Sequence, residues 1–126
     1  MSLSNAYETH VLDWLFGAGS PPRPPGRFIA LFTANPGEGG GGTEVSGGSY
    51  ARQSATFAIS GDSASNTNVV EFPAATTNWG TISHFGIYTA ATGGTMIAYG
   101  ALQTSRVINQ DDVGRFVAST LTITID

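Results

Sequence analysis

The run Thr81-Ile-Ser-His-Phe-Gly-Ile-Tyr-Thr89, then Ala90-Ala-Thr-Gly-Gly94, then Thr95-Met-Ile-Ala-Tyr-Gly-Ala-Leu102 decides the fold class. Period-two alternation in the first part places Ile82, His84, Gly86 and Tyr88 on one face and Phe85 and Ile87 on the other, the pattern of a strand. The glycine-containing link into a second apolar run reads as a hairpin. Working outward, Phe28-Ile-Ala-Leu-Phe-Thr33 is apolar at consecutive positions, which predicts a strand covered on both faces. Tyr50 to Phe57 alternates loosely, and Asn68-Val-Val-Glu-Phe72 is short and ends at Pro73. Arg115-Phe-Val-Ala118 leads into Ser119-Thr-Leu-Thr-Ile-Thr-Ile125, where Leu121, Ile123 and Ile125 are expected inside and the threonines outside. Roughly seven or eight short strands divided by turn signals predict a sandwich or barrel.

The N-terminal part differs. Tyr7, Val11, Trp14 and Leu15 form one apolar stripe at helical spacing. Ser4 or Asn5 can cap its start, and Gly17 is placed to stop it. A helix of about three turns is not stable alone in water, so the stripe must dock, on its own domain or on a neighbouring subunit. Pro21-Pro-Arg-Pro-Pro25 follows as a stiff spacer. The chain therefore divides into a helix and proline-rich arm at 1–26 and a β-domain at 27–126.

At 126 residues the chain predicts one domain with one modest core. It has no cysteine, so neither disulfides nor thiolate metal sites are available. Net charge is −4, and the only basic residues besides histidine are the scattered Arg23, Arg27, Arg52, Arg106 and Arg115. A nucleic-acid partner is not expected, because phosphate neutralisation needs clustered cations. No stretch approaches ~18 consecutive apolar residues, so no membrane-spanning helix is expected. The low share of charged residues, 11%, suits a surface packed against copies of itself or another subunit.

The segment Asn35-Pro-Gly-Glu-Gly-Gly-Gly-Gly-Thr-Glu-Val-Ser-Gly-Gly48 invites a chemical reading, since seven of its fourteen residues are glycine. A phosphate loop needs a lysine and a following helix. This loop, 35–48, carries Glu38 and Glu44 instead and runs into a strand. Its charge has the wrong sign, and no calcium-loop spacing is present. The two histidines, His10 and His84, show no nucleophile–base signature. The loop is expected to be flexible and to reach a neighbour. Trp79 lies in a turn-rich link and serves either to cap the end of the core or to anchor a subunit contact.

The stretches Leu31 to Arg52 and Phe72 to Tyr88, with Leu3-Ser-Asn-Ala-Tyr7, Leu12-Asp-Trp-Leu-Phe-Gly17 and the terminal Leu-Thr-Ile-Thr-Ile, resemble a group of small tailed-bacteriophage virion proteins. These are labelled tail fibre or capsid decoration (cement) proteins. The resemblance covers nearly the whole chain. It implies a mainly β, jelly-roll-like sandwich with a short N-terminal helix. It implies no catalytic residue, cofactor or metal, and hence no enzyme. The first function it implies is capsid decoration: a homo-oligomer made in the host cytoplasm that binds the major capsid protein at the capsid surface. The alternative is a tail-fibre or receptor-binding component, for which Tyr50, Trp79, Tyr88 and Tyr99 would be the aromatic platforms for host glycan. The interface candidates are Tyr7, Val11, Trp14, Leu15, Glu38, Glu44, Tyr50 and Trp79.

Overall fold

The computed structural model describes residues 2–124. It is mainly β, with one short helix, and every strand pairing is antiparallel. In chain order the elements are β1 (Ser2–Leu3), α1 (Asn5–Phe16), β2 (Phe28–Ala34), β3 (Thr43–Glu44), β4 (Gln53–Ser54), β5 (Phe57–Ser60), β6 (Ser63–Asn66), β7 (Val70–Glu71), β8 (Gly80–Tyr88), β9 (Met96–Ile108), β10 (Arg115–Phe116) and β11 (Thr122–Thr124). The large sheet runs β1-β9-β8-β2-β3, with β4 also paired to β2. Two small sheets, β10-β7 and β11-β6-β5, complete the sandwich.

The expected hairpin is present as β8 and β9, joined through Thr89–Thr95. Beside it, β2 is buried on both faces, as its apolar run predicts. Ile29 and Leu31 join the main core with Phe85, Ile87, Phe72, Val70 and Leu121. Ala30 and Phe32 lie on the opposite face with Tyr88 and Met96. The alternation of β8 departs from the simple reading at one point. Between the pairs Ile82↔Arg106 and His84↔Ala101, β8 advances two residues while β9 advances five. This bulge changes the phase, so Ile82 turns into the core beside Phe85 instead of sharing a face with His84.

Other departures are matters of length. β9 continues to Ile108 through Gln103, Thr104 and Ser105, polar residues that give no strand signal in the sequence. The last strand is shorter than Ser119–Ile125: β11 covers Thr122–Thr124, with Leu121 buried just before it. Ile125 lies outside the described residues. The C-terminal segment is held by a residue the sequence reading passed over. Asn66 is buried, its Oδ1 accepts from Leu121 N (2.9 Å), and its Nδ2 donates to Asn68 O (2.9 Å) and Val117 O (3.1 Å).

An aromatic chain crosses the sandwich. Tyr50 stacks on Phe72, Phe72 meets Phe116 edge-on, and Phe116 tilts against Phe85 of the large sheet, with centroids 5.9–6.4 Å apart. Such contacts add to plain area burial and fix the spacing of the sheets.

Asn66→Ala would strand one buried amide and two carbonyls. Leaving such groups unpaired costs about 1–3 kcal/mol each before relaxation. A fall of about 2 kcal/mol or more in unfolding free energy, read from urea denaturation, is therefore expected, against little change for the exposed Gln103→Ala.

Candidate functional site

The glycine-rich loop and the N-terminal helix meet at one end of the large sheet. The loop is more structured than its composition suggests. Thr43 and Glu44 form β3 against Ala34 and Phe32, and Val45 is buried. Asn35 Oδ1 accepts from Gly37 N (2.9 Å) to shape the first turn, and Gly40 N donates to Gly37 O (3.2 Å). Only the tip around Glu38 to Gly42 projects, and Glu38 O accepts from Asn5 N (3.1 Å) at the start of α1. The expected free reaching segment is thus mostly committed to its own domain.

Gly47, Gly48 and Ser49 follow with φ of 74°, 58° and 66°. This left-handed run turns the chain back so that Tyr50 enters the fold. Glycine is required at 48 for a second reason. A Cβ there would stand 2.4 Å from Thr77 Oγ1 and 2.8 Å from Trp79 Nε1. The same tight approach lets the Trp79 indole N–H donate to Gly48 O (3.0 Å).

Tyr50 then completes the edge of β2. β3 pairs with β2 at Phe32 and Ala34, while β4 pairs at Phe28 and Ile29. Leu31 N–H falls between them and donates to the Tyr50 hydroxyl (3.0 Å). That hydroxyl donates onward to Glu44 Oε2 (2.6 Å). Arg52 grips the same carboxylate in a fork, Nε to Oε2 and Nη2 to Oε1, both 2.8 Å. Its Nη1 donates to Ala90 O (3.0 Å) and Gly93 O (2.8 Å) in the β8–β9 turn, and its guanidinium lies 3.8 Å from the Tyr88 ring centroid. The planar fork and stacking suit arginine, and lysine would supply neither.

The electrostatics follow the geometry. Burial pushes the Glu44 carboxyl upward, but hydrogen bonds from Arg52 and Tyr50 outweigh it and hold the group below the ordinary carboxylate range. Burial, then the neighbouring carboxylate, pushes the Tyr50 phenol far above its usual value. The cluster is a fixed, internally satisfied lock.

α1 presents the opposite case. Ser4, rather than Asn5, is its cap. Ser4 Oγ accepts from Tyr7 N (3.4 Å) and donates to Met96 O, while Ser4 N donates to Ile97 O (2.8 Å). Together with β1 pairing to Tyr99 and Ala98, this ties the helix start to the sheet. Tyr7 and Val11 are half-buried. Beyond them the helix leaves the surface: Leu12, Trp14, Leu15 and Phe16 are 59%, 67%, 54% and 83% exposed.

The eight interface candidates therefore separate. Trp14 and Leu15 are open, Tyr7 and Val11 line the docked side, and Glu38 stands at the loop tip. Glu44, Tyr50 and Trp79 are turned inward with their polar atoms engaged within the chain. Of the aromatic side chains considered as a glycan platform, Tyr50 stacks on Phe72, Trp79 is buried, and Tyr88 is covered by Phe32 and Arg52. Tyr99 is half-buried. Sequence reasoning missed β1 and the roles of Arg52 and Tyr88; for Arg52, the only hint is an isolated cation two residues after Tyr50 and eight after Glu44.

Residues 2–124 match the family described as podophage GP4 fiber I protein gp80. The chain belongs to this family. It is thus a phage virion protein with a structural role, in keeping with the resemblance carried by the glycine loop and the β8 region. None of the curated proteins matches the chain. Within the gp80 family match lie both features described above, the locked loop edge and the projecting helix.

For this gp80-family chain, Arg52→Ala leaves a half-buried carboxylate without its fork, and a loss of about 2–3 kcal/mol is expected, since breaking such pairs is costly. The pH dependence has a definite sign. A carboxyl whose folded-state pKa is depressed stabilises the protein above its unfolded pKa, near ~4.3 for glutamate, and that stability is lost as pH falls through the folded value. Thermal midpoints of wild type and Glu44→Gln should therefore converge below pH ~4, Glu44→Gln being lower at neutral pH. Parallel curves throughout that window would contradict this assignment.

Proposed function

We propose that the chain is an assembly module of a virion fibre, acting by packing against other virion subunits and not by catalysis. The family match over residues 2–124, whose description names a fibre protein, carries this reading. Its support in the fold is a contrast. The densest polar cluster, Glu44–Tyr50–Arg52, is consumed internally, while the helix that the β-domain holds out is apolar and open. Apolar side chains displayed in this way are the hallmark of surfaces completed by a partner. The partners are copies of the chain and adjoining virion proteins, with no cofactor required.

A second reading, capsid decoration through the major capsid protein, is favoured by one feature. The chain is a single sandwich with no sequence repeat from which a shaft could be built. The two readings differ in place and number. Cryo-electron microscopy of purified virions, with quantitation against the major capsid protein, separates them. The fibre reading expects a small fixed number of copies projecting from the tail region. Copies in lattice register over the shell would replace it with the decoration reading, and absence from purified particles would overturn both.

A further inference from the structure

The strongest unexplained pair of features is the projecting half of α1 and a groove along the second half of β9. From Val11 to Phe16 the apolar side chains cover a little over half of the helix circumference: Leu12 and Phe16 share one side, Leu15 lies beside them, Trp14 points away from Leu12 and Phe16, and Asp13 is the lone charge. A narrow apolar stripe lies on a surface by one face, whereas a segment apolar over more than half of its circumference is buried only when contacted from two sides. It calls for a socket with two walls.

One such socket exists on the same molecule. A groove of about 890 Å³ opens between the second half of β9 and the segment around β10. Leu102, Arg106 and Val107 form one wall, and Arg115, Phe116 and Val117 the other. Val107 and Val117 are 59% and 52% exposed. The β9 side is approachable, because β1 pairs β9 only at Ala98 and Tyr99 and leaves its later outer edge without a strand among the described residues. The projecting end, Val11 to Phe16, spans about 9 Å, and the groove stretch of β9 from Gly100 to Ile108, about 26 Å long, has room for it.

Charge agrees with this fit. In a chain of net charge −4, the groove is lined by two of the five arginines and by no aspartate or glutamate. Arg115 pairs with Glu71, while Arg106 makes no ion pair among the described residues. The helix carries Glu8 and Asp13 and no arginine. Its own start is pinned to Met96, Ile97 and Glu38, and no helix residue lines the groove of its own chain.

We propose that the projecting end of α1 inserts into the β9–β10 groove of a second copy of the chain. The contact is head-to-tail, joining two different surfaces, so it propagates into rings or open arrays. Trp14 and Phe16 are its aromatic anchors, and Arg106 faces the acidic helix. The contact is between copies and does not depend on where in the virion they sit.

Complementation tests it. In sedimentation at graded concentration, the full wild-type chain should associate beyond a monomer. The double variant Trp14→Ser, Phe16→Ser and the single variant Val117→Asp alter exposed positions, and each should be a folded monomer by circular dichroism and thermal midpoint. Mixed together they should form a one-to-one dimer and nothing larger, since one intact helix meets one intact groove. Because the chain has no cysteine, Phe16→Cys and Val107→Cys chains, mixed under oxidising conditions, give a second readout: a disulfide-linked heterodimer exceeding either homodimer. A wild-type monomer at all concentrations, association that survives in either variant, or a mixture that stays monomeric would overturn the proposal.

Discussion

The hydroxyl of Tyr50 stands at a backbone donor of β2, Leu31 N–H, that falls between the pairings of β3 and β4. An unpaired buried amide at the centre of a sheet is costly, and here a side chain supplies the missing partner. Because that oxygen also donates to Glu44, the patch is tied to β3. Because Glu44 is forked by Arg52, it is tied to the β8–β9 turn as well. The glycine loop, the edge of β2 and the hairpin turn are thus fastened by one chain of hydrogen bonds. Arg52 adds a stack on Tyr88, which covers the outer face of the sheet where Phe32 and Met96 lie.

This arrangement explains why a loop so rich in glycine is compatible with order. The left-handed positions at Gly47, Gly48 and Ser49 exist to aim Tyr50, and the close passage at Gly48 admits the Trp79 indole. Glycine's conformational freedom is used here to reach one strained path, whose entropic cost is offset by burying an aromatic ring and closing several hydrogen bonds. The charged groups are thereby withdrawn from any outward role. What stands open instead is the apolar end of α1, fixed at its root by Ser4 and β1 and unsupported beyond Val11. That contrast between a satisfied interior and an unsatisfied projection is the physical basis for the assembly role proposed for this gp80-family chain.

Much of this fold could be read from the residues. The apolar run at Phe28–Phe32 announced burial on two faces, and the alternation about Ala90–Gly94 announced the hairpin, because both depend on local pattern. The capped helix was legible for the same reason. Ile82 was misplaced because a bulge in β9 changes the phase of β8, and nothing in the β8 sequence reports what its partner does. Asn66 and β1 were invisible for a related reason. One is a single polar residue whose partners lie 51 and 55 positions away, and the other is two residues without pattern. The loop was read as mobile because composition reports freedom in the unfolded chain, whereas Tyr50, Glu44 and Arg52 fix it through contacts that only the fold brings together.

Tyr50→Phe isolates the central interaction, since it keeps the ring that stacks on Phe72 and removes only the bridging oxygen. Amide hydrogen exchange at Leu31, followed residue by residue, is the most direct measurement. In the wild type this amide should exchange with the slow core of β2. In Tyr50→Phe it should exchange much faster, while Ile29 and Ile87 remain protected. Unchanged protection at Leu31 would contradict the bridge as the fastening of the loop edge.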